Sequence, residues 1–124
     1  MFQVIEISLA DTRRLYHYHQ TSSLKINFGL KGFDYGWLLE SHDWQANEKV
    51  LDVGGAYSPL PIHIQKTLNC ETWVADDFGL KSDDPFWTRQ GSPQTHIKEN
   101  PELKYVLERV GNPSQSSLPQ GYFD

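Results

Sequence analysis

The chain reads as an α/β protein built on a mainly parallel sheet, and three observations predict this. Lys49-Val50-Leu51-Asp52-Val53-Gly54 is a compact apolar run that halts at glycine, the pattern of a buried parallel strand. A small-residue turn, Gly55-Ala56-Tyr57-Ser58, leads from it into an amphipathic helical pattern. Glu71-Thr72-Trp73-Val74-Ala75-Asp76 is a second strand-like run that ends in acid. Strand, tight turn, helix and strand within about 30 residues make a βαβ unit, whose two strands run parallel.

Composition bounds the rest. The 124 residues are 38% hydrophobic, 22% charged and 13% aromatic, sufficient to bury the core of one domain. Lys and Arg total 11 against 16 Asp and Glu, a net charge of −5 with neutral histidine. That balance lacks the broad basic footprint of a nucleic-acid binder, so nucleic acid is not an expected partner. No apolar run approaches the roughly 20 residues that span a bilayer. The N-terminus has acidic Glu6 and no basic residue before its apolar stretch, unlike a secretory signal, so no membrane partner is expected. Cys70 is the single cysteine, which excludes an intrachain disulfide and points to a reducing, cytoplasmic compartment.

Residues 1–45 form a lead-in with helices, and residues 46–124 hold the βαβ unit and a looser C-terminal stretch. Phe2-Gln3-Val4-Ile5-Glu6-Ile7 is β-branched and suits an edge strand or an arm. Asp11 offers an N-cap to the helix formers after it. Gly29, Gly32 and Gly36 mark residues 22–36 as a loop, and Trp37, Leu38 and Trp44 give residues 35–44 a short amphipathic helix. Ser58 suits an N-cap and Pro59 the first helical position, with Leu60, Ile62, Ile64 and Leu68 on the apolar side of a helix running to about Asn69. Residues 82–87 cap a short helix that Gly91-Ser92-Pro93 breaks. Residues 104–110 predict a third strand, residues 112–121 a surface loop, and Tyr122-Phe123-Asp124 the start of another strand.

The chemistry lies in the βαβ unit. A strand that ends in an acid, then turns sharply into a helix, aims the turn's free N–H groups into one crevice. Small turn residues let a ligand approach the backbone, and an acid at the end of the next strand accepts both hydroxyl protons of a ribose. Asp52 is the first acid, Gly54 and Gly55 open the turn, and Asp76 is the second acid. The dinucleotide fingerprint G-x-G-x-x-G fails, because Ala56 and Pro59 stand where glycines belong, which disfavours an oxidoreductase using NAD or FAD.

Val50-Leu51-Asp52-Val53-Gly54-Gly55-Ala56-Tyr57-Ser58 resembles the first motif of the class I, Rossmann-like S-adenosylmethionine-dependent methyltransferases. Trp73-Val74-Ala75-Asp76-Asp77 resembles their second motif, and residues 117–124 the loop leading into their fourth strand. Tyr35-Gly36-Trp37-Leu38-Leu39-Glu40 resembles the helix packed before their first strand. The resemblance implies a Rossmann-like three-layer αβα domain with a mainly parallel sheet, present as its first three strands and the start of the fourth. It also implies S-adenosyl-L-methionine as cofactor. Asp52 and Gly54 would lie beside the methionine moiety, with Gly55, Ala56 and Ser58 in the turn beneath it. Asp76, or else its neighbour Asp77, would take the ribose hydroxyls. Asn112, where the family carries an acid, would lie near the adenine. The implied reaction is methyl transfer to an acceptor that the sequence does not name.

Plainer readings stand beside these: a tight βα turn for residues 54–58, a strand-end carboxylate satisfied by helix N–H groups for Asp52, and a solvated acid for Asp76. A non-catalytic binding or scaffold module, or an inactive truncated fragment, is the alternative to an enzyme. A sheet of three strands with a fourth just beginning predicts an exposed edge and self-association through it. His17 and His19 bracket Tyr18, but no third ligand follows at a metal-site spacing. His42, His63 and His96 read as surface residues, Trp73 as core and Cys70 as inert.

Overall fold

The computed structural model describes residues 6–21, 31–79, 84–109, 111 and 116–123. The chain divides into two compact units, Met1–Asp43 and Trp44–Asp124.

In the first unit, α1 (Leu9–Thr21) packs beside α2 (Lys31–Ser41). Ser8, and not Asp11, caps α1. Asp11 N donates to Ser8 Oγ at 3.1 Å and Ser8 N donates to Asp11 Oδ2 at 3.1 Å, so two orphan donors are satisfied reciprocally. The Ser8 hydroxyl holds the Asp11 carboxyl below its ordinary value. The loop expected over residues 22–36 is replaced by helix from Lys31 onward; residues 22–30 lie outside the described residues. Gly36 lies inside α2, where α1 comes close: a Cβ there would stand 3.2 Å from the Leu15 carbonyl oxygen, a tight fit that a glycine avoids. Leu15 and Leu39 are buried, and Arg14 pairs with Glu40. Trp44 lies beyond the helix expected to include it. Of the expected edge strand or arm, Glu6 and Ile7 are irregular and the rest lies outside the described residues.

The second unit is a small α/β fold on a three-stranded, all-parallel sheet. Strands β1 (Lys49–Val53), β2 (Glu71–Ala75) and β3 (Lys104–Val106) lie in the order β1-β2-β3. Leu51 is in register with Trp73, and Val74 with Tyr105. Helix α3 (Leu60–Leu68) joins β1 to β2 and packs on β2. The helix starts one residue later than expected: Pro59 rather than Ser58 is the N-cap, Leu60 N donates to Ser58 Oγ at 3.2 Å, and Asn69 closes the helix in the left-handed region at φ 58°. Asp84 caps α4 (Pro85–Arg89), accepting from Phe86 N at 2.8 Å. Ser92 and Pro93, expected only to break a helix, begin α5 (Pro93–Glu99).

Val74, Phe78 and Leu103 form the core, with Ala56, Tyr57, Ile62 and Tyr105 packed against it. Strand alternation puts Glu71 and Trp73 on the other face of β2 from Thr72 and Val74. Trp73 is therefore half-buried and outside that core, where Tyr122 and Phe123 meet it edge-on at 5.8 and 5.7 Å between ring centres. Glu71 Oε1 gathers Lys104 Nζ at 2.8 Å, Trp73 Nε1 at 2.8 Å and the Tyr122 hydroxyl at 2.5 Å. These donors, Lys104 first, pull the Glu71 carboxyl down to about 2.

Three strand expectations are corrected. β1 is half-buried rather than buried, with Val53 55% exposed, because among the described residues the sheet pairs it on one side only. β3 ends at Val106, and beyond it the Glu108 carboxylate accepts from the Ser116 and Ser117 hydroxyls. Tyr122 and Phe123 begin no strand, since their rings are drawn onto Trp73. Among the described residues no helix is long and apolar enough to cross a membrane.

Candidate functional site

Parallel strands send all their carboxyl ends to one side, and open α/β sheets bind ligands in the crevice there. The corresponding cleft here is about 230 Å³ and is lined by Val53, Gly54, Ala75, Asp76, Asp77 and Arg109.

The cleft begins where β1 turns. Gly54 sits at φ 76°, a region costly for side-chain-bearing residues, and its N–H donates to Ala75 O at 2.9 Å, one step beyond the β1–β2 ladder. Ala56 also has a positive φ, 39°, and its N–H donates to Asp76 Oδ2 at 3.2 Å. The other Asp76 oxygen accepts from Phe78 N at 2.5 Å. Asp76 is 8% exposed and ties the turn after β1 to the segment after β2. Each carboxylate oxygen retains a second lone pair for a ligand hydroxyl. Asp77 Oδ1 accepts from Gly79 N at 2.9 Å, so the neighbouring acid is also held by the backbone. Gly79 permits this turn to press against Trp87, whose ring a Cβ there would overlap.

An aromatic cluster gathers around the turn residue Tyr57. Tyr57, the one large residue of the turn, donates its hydroxyl to Gly91 O at 2.9 Å and sets its ring edge-on to Phe78 at 5.1 Å and His96 at 5.2 Å. Burial raises the Tyr57 and Tyr105 hydroxyls, the latter to about 12, and lowers the His96 imidazole. His96 is thus a half-buried packing residue rather than a surface one. His63 is likewise no surface residue: it is 6% exposed on α3, and burial lowers its imidazole. His42 is exposed. Cys70 is fully buried, its Sγ 3.5 Å from Gln45 O, and burial raises the thiol, which suits an inert side chain.

Of the residues expected to hold a cofactor, Gly54, Asp76 and Asp77 line the cleft together. Ala56 joins them through its hydrogen bond to Asp76, whereas Ser58 spends its hydroxyl on the start of α3. Asp52 does not line the cleft; its carboxylate lies over Gly55, where a Cβ would come within 2.6 Å of Oδ2. Asn112 lies outside the described residues. Sequence reasoning missed Arg109. Its signal was position: it comes after the third strand, and every carboxyl end of a parallel sheet faces the crevice. Among the described residues no group of three or more His, Cys, Asp or Glu is placed to hold a metal ion. Set beside known proteins, the chain matches no family model and no curated protein.

Proposed function

We propose that the second unit is a Rossmann-like module that binds S-adenosyl-L-methionine in this cleft and serves methyl transfer. One observation carries the reading: Gly54, Asp76 and Asp77 converge at the carboxyl ends of adjacent parallel strands. The residues fit the cofactor in kind. Carboxylates with spare lone pairs match the two donors of a ribose diol, and a left-handed glycine admits a ligand close to the backbone. In size, a cleft of about 230 Å³ falls below the roughly 300–1,000 Å³ of small-molecule sites, so it suits the ribose, with the remaining ligand lying toward the ends of β1 and β3.

The bound cofactor would supply a sulfonium already activated for methyl donation. The chain's own residues would supply position: Asp76 and Asp77 orient the ribose, while the turn from Gly54, with Asp52 behind Gly55, fixes the methionine side. A single buried thiol fits a reducing cytoplasm. Among the described residues β1 pairs on one side only, and that edge supports self-association.

The engagement of both Asp76 oxygens by Ala56 N and Phe78 N favours a second reading, a scaffold that keeps the fold and uses the acid structurally. Calorimetric titration separates the two. Binding of S-adenosylmethionine or S-adenosylhomocysteine, with none of NAD, supports the cofactor reading. Flat titrations with a folded sample leave the scaffold, and binding of NAD alone would make the chain a different nucleotide-using protein.

A further inference from the structure

We infer that the first unit holds a ligand site of its own, a pocket at the start of α1 that takes a small organic ammonium ion with an apolar body. The inference is independent of the reading of the cleft.

The pocket is about 210 Å³ and, among the described residues, is lined by Glu6, Ile7, Asp11, Arg14, Leu15 and Trp37. Glu6 and Ile7 come from the segment before α1, the next three from α1, and Trp37 from α2. A cavity of about 150 Å³ holds a benzene ring, so this one has room for a single ring and a short arm. Half of the lining is apolar. Leu15 is closed off at 1% exposed, but Ile7 and Trp37 stay open at 45% and 40%. Apolar side chains left open around one cavity favour an apolar guest.

Charge decides what else that guest carries. Arg14 is the cation of the lining, and it is already engaged. One guanidinium nitrogen lies 3.3 Å from Asp11 Oδ1, and another pairs with Glu40. The Ser8 hydroxyl holds the Asp11 carboxyl below its ordinary value, so it is charged at neutral pH. Among the described residues Glu6 forms no ion pair. Three carboxylates, Glu6, Asp11 and Glu40, thus share one guanidinium, and the N-terminus of α1 offsets only about half a charge more. The surplus is negative, which disfavours an anion and favours a cation. These acids are not placed to hold a metal ion, and half of the lining offers no ligand atoms. An ammonium group on an apolar body answers both halves of the pocket.

The test titrates the full chain at neutral pH with 2-phenylethylammonium, 2-phenylethanol and 3-phenylpropionate, which share one ring and differ in charge. Nuclear magnetic resonance follows the indole N–H signals, with that of Trp37 identified by its loss in Trp37→Phe. The ammonium is expected to bind tightest and to shift the Trp37 signal. The alcohol should be weaker by about two- to five-fold, and the carboxylate weaker still. Glu6 is exposed and lies outside any helix, so Glu6→Gln is expected to fold, as circular dichroism will check. It should bring the ammonium close to the alcohol and leave the alcohol unchanged. A carboxylate that binds as tightly as the ammonium overturns the inference. So does an ammonium affinity that Glu6→Gln leaves unchanged, binding that shifts other indoles but not Trp37, or a wild-type chain that does not bind the ammonium.

Discussion

Replacing Asp76 by alanine tests the structural half of the site. The carboxylate accepts from Phe78 N at 2.5 Å, at a residue 2% exposed, and from Ala56 N at 3.2 Å in a partly buried turn. Hydrogen bonds to charged groups contribute about 1.5–3 kcal/mol each, and an orphaned buried donor carries its own desolvation cost. Taking about 2 kcal/mol for the short buried bond and about 1 for the longer, partly buried one, which falls in the range of an ordinary hydrogen bond, gives a loss of about 3 kcal/mol. Against a typical stability of about 5–15 kcal/mol that is a large fraction, equivalent to a fall in Tm on the order of 10 °C. Urea denaturation followed by circular dichroism measures it. Asp76→Asn keeps one acceptor oxygen and is expected to lose about half as much. A loss below about 1 kcal/mol in Asp76→Ala would refute the claim that this side chain ties the two segments together. The outcome also bears on function: ligand binding lost in Asp76→Ala has two possible sources, and the milder Asp76→Asn variant, still folded, separates them.

Neighbouring residues give further expectations. Ala56 is held at φ 39°, so Ala56→Gly is expected to raise stability by about 0.5–1 kcal/mol in the same denaturation assay; destabilisation would contradict the strain argument. The Glu71 carboxyl is lowered from 4.5 to about 2, so its contribution is complete above pH 4.5 and is lost as pH falls toward 2. Glu71→Gln should flatten that acid limb in Tm against pH, and an unchanged limb would exclude the Lys104–Glu71–Tyr122 cluster as its origin. The His96 imidazole is lowered from 6.5 by burial, so the unfolded chain takes up the proton first and stability falls as pH drops below 6.5. His96→Gln should reduce that slope, with His63, lowered in the same direction, supplying what remains.

Much of the second unit is legible from local pattern. The apolar run that stops at Gly54, the Ser58-Pro59 helix start and the run that ends at Asp76 each carry their own signal within a few residues, and β1, α3 and β2 form there. Gly36 reads as a loop residue because glycine breaks a helix by propensity, while its actual role depends on the approach of Leu15 from another helix. Tyr122 and Phe123 read as a strand start, but strand propensity is weak against a specific aromatic partner, and Trp73 supplies one. His63 and His96 carry no local sign of burial; the packing of α3 and α5 decides it.

The sequence by itself determined the βαβ unit and its acids, because backbone preferences and the spacing of apolar residues act over short range. Tertiary structure alone decided which acids share a cleft. It set Asp52 over Gly55, turned Asp76 into a tie between two loops, and brought Arg109 to the same strand ends from the far side of the sheet. Those relations depend on parallel pairing between segments distant in the chain, which no local pattern encodes.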